Sequence, residues 1–280
     1  MSQKERAHSK FSASGAERWF NCPGSVELSE GLPDTTSPAA EEGTQAHEVL
    51  EVTLKCDEFL FPGVDPRAPR EMVKYADEAA KFIRGLAKQT NSEFLVEDRA
   101  HLDFIHPEAF GTLDSAVLDH FGTLHVIDYK YGKGYVVSPK ENLQMIFYAL
   151  ALAHKYDWNF SRVRLWIIQP RAKGYDGPVF WDISIDELRE YVPKFEDAVA
   201  RVELSPEFKE GNHCFFCKAK KICPLKLESK NNKAGLIFGD LDGKEENDKE
   251  ESGKEKKLIT EAEWRKASRQ TKERSRRAGC

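Results

Sequence analysis

The segment Leu124–Lys130, LHVIDYK, constrains this chain most. Leu124, Val126 and Ile127 are apolar and β-prone, so they predict a buried strand, yet that strand ends on charge. Residues i and i+2 of a strand share a face. Asp128 and Lys130 therefore project side by side, a carboxylate beside an ammonium. Buried β-structure holds side chains rigidly, which suits the ends of such strands to chemistry. Alone, an Asp-x-Lys pair is most often a plain ion pair of little energetic weight.

Around this strand the pattern alternates. Helical spacing predicts helices over 14–22, 39–55, 70–88, 139–156 and 184–202, the last opened by a capping box of Ser184 and Glu187. Strands are predicted over 93–102, 113–118, 124–129, 163–169 and 179–183, with 119–122 turning a hairpin between the second and third. This order predicts an α/β domain: a central mixed β-sheet flanked by helices, over residues 8–227. From Glu228 to Cys280 the chain is polar and predicts a disordered charged tail. Its basic end, Arg265–Arg277, reads either as a solvated run or as a strip that lies on a phosphate backbone or a partner.

Composition narrows the function classes. Hydrophobic residues make up 40% and charged residues 32%, as in a soluble globular chain. No run approaches the roughly 18 apolar residues of a membrane helix. The first ten residues are charged and lack an apolar stretch, so no secretory signal is expected and the expected location is cytoplasmic. With a net charge of -5, any nucleic-acid site must be a local basic groove.

A second carboxylate, Asp114 in Gly111-Thr112-Leu113-Asp114, starts the hairpin partner strand and can approach Asp128 across it. Two close carboxylates repel, and a divalent cation resolves the repulsion. Oxygen ligands of this kind suit Mg2+ or Mn2+. A lysine beside such an ion can hold a nucleophilic water or stabilise a developing anion. His47 shares a helical stripe with Leu50 and Leu54, where a core histidine is the simpler reading. Gln144 and Tyr148 share a helix face, where packing is the simpler reading.

Taken in order, His47, Gly-x-x-Asp at 111–114, Asp-x-Lys at 128–130 and Gln-x-x-x-Tyr at 144–148 resemble the RecB-like nucleases of the PD-(D/E)xK superfamily. All of that group's motifs are present between about His8 and Leu225, with Asp128 where the group often has Glu. The resemblance implies a restriction-endonuclease-like core and a metal-dependent DNA nuclease. It implies His47, Asp114, Asp128 and the Tyr129 carbonyl as metal ligands, Lys130 as the catalytic lysine, and Gln144 and Tyr148 as residues that orient Lys130 or the substrate. The stretches His8–Ser12 and Arg18–Ser25 look like a phage-encoded branch of the group.

The chain has six cysteines, of which Cys214, Cys217 and Cys223 lie within one short segment, with Pro224 after the last. A fourth ligand would close a metal site. His213 or another nearby side chain would complete a zinc site, and Cys22 from far upstream would complete a 4Fe-4S cluster. The resemblance favours the cluster. Several RecB-like nucleases, among them the AddB-type helicase–nuclease and the CRISPR spacer-acquisition nuclease, carry one cysteine before the histidine motif and three after the core. Such a cluster would join the N-terminal and C-terminal segments. Cys56 and Cys280 read as ordinary thiols. Lys218, Lys220 and Lys221 stand beside Phe215 and Phe216, either as a rim that grips DNA or as solvated lysines over two inward-packed rings.

The leading expectation is therefore an exonuclease acting on DNA single strands or duplex ends in phage or bacterial recombination, replication or repair, with a helicase or recombination protein as a partner class. The alternatives are a catalytically inactive nuclease fold that binds DNA or protein, and a zinc-stabilised adaptor.

Overall fold

The computed structural model describes residues 9–33, 37–56, 67–204 and 207–229, so the predicted tail beyond 229, with its basic end, lies outside the described residues. The chain divides into two compact units. The first comprises Met1–Phe20 and Asp34–Ala200, and the second Asn21–Pro33 and Arg201–Cys280.

A 3-10 turn, Ala13–Gly15, capped by Ser12, leads into α1 (Ala16–Asn21), and α2 (Gly24–Ser29) follows. The helix expected over 14–22 is this turn and α1. The helix α2, not expected from the sequence, starts anew after Pro23, because proline supplies no N–H to carry α1 onward. In the first unit, α3 (Pro38–Lys55) is capped by Ser37, whose side chain accepts from Ala40 N. The helix α4 (Arg70–Thr90) ends on Asn91 in the left-handed conformation at φ 50°.

Then come β1 (Phe94–His101), β2 (Phe110–Leu118), β3 (Thr123–Tyr129), α5 (Leu143–Lys155), β4 (Arg162–Ile168) and β5 (Val179–Ser184), followed by α6 (Ile185–Arg189) and α7 (Val192–Leu204). The sheet runs in the order β1-β2-β3-β4-β5. The β3–β4 pair is parallel and the other pairs antiparallel, so the sheet is mixed, as expected. The parallel pair needs a crossover. The helix α5 supplies it, and its residues Met145–Ala153 are buried.

Two helix boundaries depart from the sequence reading. The helix expected from Pro139 begins at Leu143, because Glu141 takes φ 57° and Asn142 then caps, accepting from Gln144 N and Met145 N. The helix expected over 184–202 is broken at Glu190–Tyr191. Pro193 lacks an N–H and its ring crowds the carbonyl four residues back, so it opens α7 rather than continuing α6. The capping box of Ser184 and Glu187 is present.

One hydrophobic cluster packs α3 and α4 on the sheet through Leu50, Met72, Ile83, Val117, Ile127 and Tyr129. Strand alternation then sends Asp128 to the opposite face from Ile127 and Tyr129. Among the described residues, no helix is long and apolar enough to cross a membrane.

Candidate metal and acid–lysine site

The β2–β3 ladder ends at the Ser115–Ile127 pair, so the next residues in register are Asp114 and Asp128. Asp114 fills the gap where the ladder stops. Its Oδ2 accepts the Tyr129 N–H at 2.7 Å, and its Oδ1 lies 2.9 Å from His47 Nδ1. Burial disfavours the His47 cation, but the hydrogen bond and charge of Asp114 outweigh that and raise its pKa.

Asp128 is 2% exposed. Lys130 Nζ lies 2.9 Å from both of its oxygens. Only Oδ1 takes the hydrogen bond, and Oδ2 is buried without one. Burial raises the Asp128 pKa and the nearby Asp114 charge adds to it, while Lys130 opposes both. Burial would lower the Lys130 pKa, but Asp128 and Asp114 raise it on balance, so the side chain is held as an ammonium.

Gln144 bridges this pair. Its Oε1 accepts from Lys130 at 3.1 Å and its Nε2 donates to Asp128 Oδ1 at 3.1 Å. One turn on, Tyr148 accepts weakly from Gln144 at 3.5 Å and donates to the Thr112 carbonyl at 2.7 Å. Tyr148 thus braces Gln144 rather than touching Lys130. Gly111 explains the first position of the Gly-x-x-Asp motif. A Cβ there would stand 2.7 Å from Ala13 Cβ and 3.1 Å from the Tyr148 ring, so only glycine lets both pack on the start of β2.

Sequence reasoning missed Glu97. It faces Asp114 across the β1–β2 ladder, between the Val96–Ser115 and Asp98–Leu113 pairs, and holds a left-handed φ of 49° within a strand. Such a conformation costs free energy in a residue with a side chain. Ligand atoms of His47, Glu97 and Asp114 all lie within 4.8 Å of one another, a group that can hold a metal ion. Burial, then the charges of Asp114 and Glu51, push the Glu97 pKa up to about 7. Its only sequence signal was an acid at mid-strand; its partner is set by register. The loop leaving Lys130 is clasped by the buried Gln169, which accepts from Val137 N at 2.8 Å and donates to the Gly132 carbonyl at 3.0 Å.

The second unit holds the other predicted group. Cys22, Cys214, Cys217 and Cys223 line one pocket with His213. Burial raises the Cys22 thiol pKa; backbone N–H groups of Lys209 and Ser25 oppose this, and Cys223 and Cys217 add to it. His213 Nε2 is engaged with the Lys209 carbonyl at 2.8 Å. Among the described residues, no three of the cysteine sulfurs come within 4.8 Å of one another.

The fold and this site define an α/β protein with a mixed sheet that gathers carboxylates, a histidine and a lysine from α3, β1, β2 and the end of β3, with a glutamine from α5. The chain belongs to the family described as a protein of unknown function, DUF2800, whose model matches residues 8–263. Among solved structures it is similar to the alkaline exonuclease of Laribacter hongkongensis, at 12% identity over 79% of this chain and 97% of that one, with a TM-score of 0.30. It is also similar to a Eubacterium rectale protein with a provisional exonuclease designation, at 14% identity over 81% of this chain and 93% of that one, with a TM-score of 0.40. At these values the likeness bears on neither activity nor substrate.

Proposed function

We propose that the protein is a metal-dependent nuclease that hydrolyses phosphodiester bonds in DNA, acting as an exonuclease on single strands or duplex ends. The observation that carries this reading is the group His47, Glu97 and Asp114, whose ligand atoms lie within 4.8 Å of one another, beside the buried Asp128 and its partner Lys130. Carboxylates gathered this closely repel one another, and a divalent cation is the partner that this donor set fits. His47, Asp114 and Asp128 would hold Mg2+ or Mn2+, with the Tyr129 carbonyl as a further oxygen and Glu97 as an added carboxylate. The carboxylate and carbonyl oxygens suit either ion.

Such an ion supplies charge to a phosphoryl oxygen and makes water more acidic. The chain's own residues do the rest. Lys130 keeps its proton and donates it in a hydrogen bond to the attacking water or to the developing negative oxygen. Gln144 fixes Lys130 and Asp128 together, and Tyr148 fixes Gln144.

We read the cysteine pocket as the site of a 4Fe-4S cluster with a structural role. Four thiols lining one pocket fit this. The second unit is itself built from two distant chain segments, Asn21–Pro33 and Arg201 onward, which a cluster would join. This reading carries with it a role in phage or bacterial DNA recombination, replication or repair in the cytoplasm, alongside a helicase or recombination protein.

The test is cleavage of end-labelled single- and double-stranded DNA with Mn2+, Mg2+ or EDTA, comparing anaerobically purified wild type with Lys130→Ala. Metal-dependent cutting that the variant loses supports the reading, and the product ladder separates exo from endo action. DNA binding without cutting by the wild type would favour an inactive, nuclease-fold binding module.

A further inference from the structure

We infer that the turn between the cysteine ligands is a binding surface for single-stranded nucleic acid, with Phe215 and Phe216 as a stacking platform. The two 3-10 turns Asn212–Phe216 and Lys218–Lys221 carry it. Phe215 is 70% exposed and Phe216 86% exposed, so the alternative of two inward-packed rings does not hold. The rings meet edge-on with centroids 4.7 Å apart, and Lys220 Nζ lies 5.2 Å from the Phe215 centroid.

Turn hydrogen bonds tie the backbone beneath them. Successive turn bonds run from Cys214 N to Gly211 O, Cys217 N to Cys214 O, and Lys220 N to Cys217 O, and Ala219 is fully buried. Apolar rings held in water on a rigid turn are poorly explained by packing within the chain.

Charge identifies the occupant. Residues 209–226 contain Lys209, Lys218, Lys220, Lys221 and Lys226 against a single acid, Glu210, in a chain of net charge -5. Glu210 is itself paired with Lys226 at 2.9 Å. Exposed aromatic faces among lysines match a polyanion that offers free base faces. A single strand has both features, whereas a duplex keeps its base faces stacked. This inference extends the nuclease reading to how a strand is held, and binding and cleavage are measured separately, so either can fail alone.

The experiment is fluorescence anisotropy of a labelled oligo-dT and of a labelled hairpin duplex with the full-length protein, in Ca2+ buffer without Mg2+ or Mn2+. Wild type is expected to bind oligo-dT more tightly than the hairpin. Phe215→Ala/Phe216→Ala is expected to weaken oligo-dT binding by about tenfold or more, with the hairpin affected far less. Phe215→Tyr/Phe216→Tyr is expected to retain binding. Each lysine removed, as in Lys220→Ser, is expected to reduce the salt slope of single-strand binding by about 0.7. Thermal melting and absorbance near the cluster band, at about 400 nm, check that the double variant is folded and loaded. A folded double variant that binds oligo-dT as wild type does overturns the inference. So does a wild type that ignores oligo-dT but needs both rings to sediment with anionic vesicles, which would reassign the surface to a membrane.

Discussion

The sheet-end site and the cysteine pocket are both groups of metal-ligand residue types, but they are held in opposite ways. At the sheet end, strand register and the helix α5 set the side chains, and protein hydrogen bonds cross-brace them. Lys130 occupies Asp128, Gln144 spans both, and Asp114 takes a histidine and a backbone N–H. The cysteine pocket rests on short 3-10 turns, and its thiols repel one another once ionised. The first is braced by the protein's own hydrogen bonds. In the proposed reading the second would be closed by its ligand, with binding coupled to folding.

The comparison can be broken most sharply at Lys130. Lys130→Ala is expected to lower cleavage by about a thousandfold, with little loss of folded protein, because it removes a donor from a scaffold set by register. A parallel loss of folded yield would show that the site is not independently braced. The next largest effect is Cys217→Ala. It is expected to abolish the absorbance near 400 nm and to lower Tm and folded yield, with iron and sulfide analysis as the check. Full iron content in that variant would remove Cys217 from the ligand set.

The smallest effect is a pH dependence. Glu97 is raised to about 7 from an ordinary value of 4.5, and His47 and Asp128 are also raised. The folded state therefore binds these protons more tightly than the unfolded chain does. The stability that Glu97 contributes is fully present below about pH 4.5 and is lost as pH rises through about 7. Metal-free protein is expected to melt at lower temperature at pH 8 than at pH 5.5, Glu97→Gln is expected to flatten part of that slope, and Mn2+ is expected to restore stability at pH 8. A slope unchanged in Glu97→Gln would sharpen the comparison by assigning the titration to His47 and Asp128.

What the sequence disclosed follows from distance along the chain. Asp128 and Lys130 share a face by strand alternation, and Gln144 and Tyr148 by helix pitch, so their geometry was legible from spacing alone. The approach of Asp114 to Asp128 followed from reading a hairpin. Glu97 was hidden because its place depends on β1 pairing with β2 in one register, which no local pattern states. The late start of α5 was hidden for a similar reason. A left-handed Glu141 leaves no mark in a propensity, whereas the break at Pro193 was available from proline chemistry and was overridden by apolar periodicity. That four cysteines line one pocket was suggested by resemblance, since Cys22 and Cys223 have no local relation.

The most direct test of the central claim, that the sheet end is a preformed metal centre independent of the cysteine pocket, is Mn2+ binding to the full-length protein. Calorimetry at pH 7.5 would compare wild type, Asp114→Asn and the folded fraction of Cys217→Ala. The expected result is Mn2+ binding in wild type, its loss in Asp114→Asn and its retention in Cys217→Ala. Undiminished Mn2+ binding by Asp114→Asn, or its loss in folded Cys217→Ala, would contradict the account.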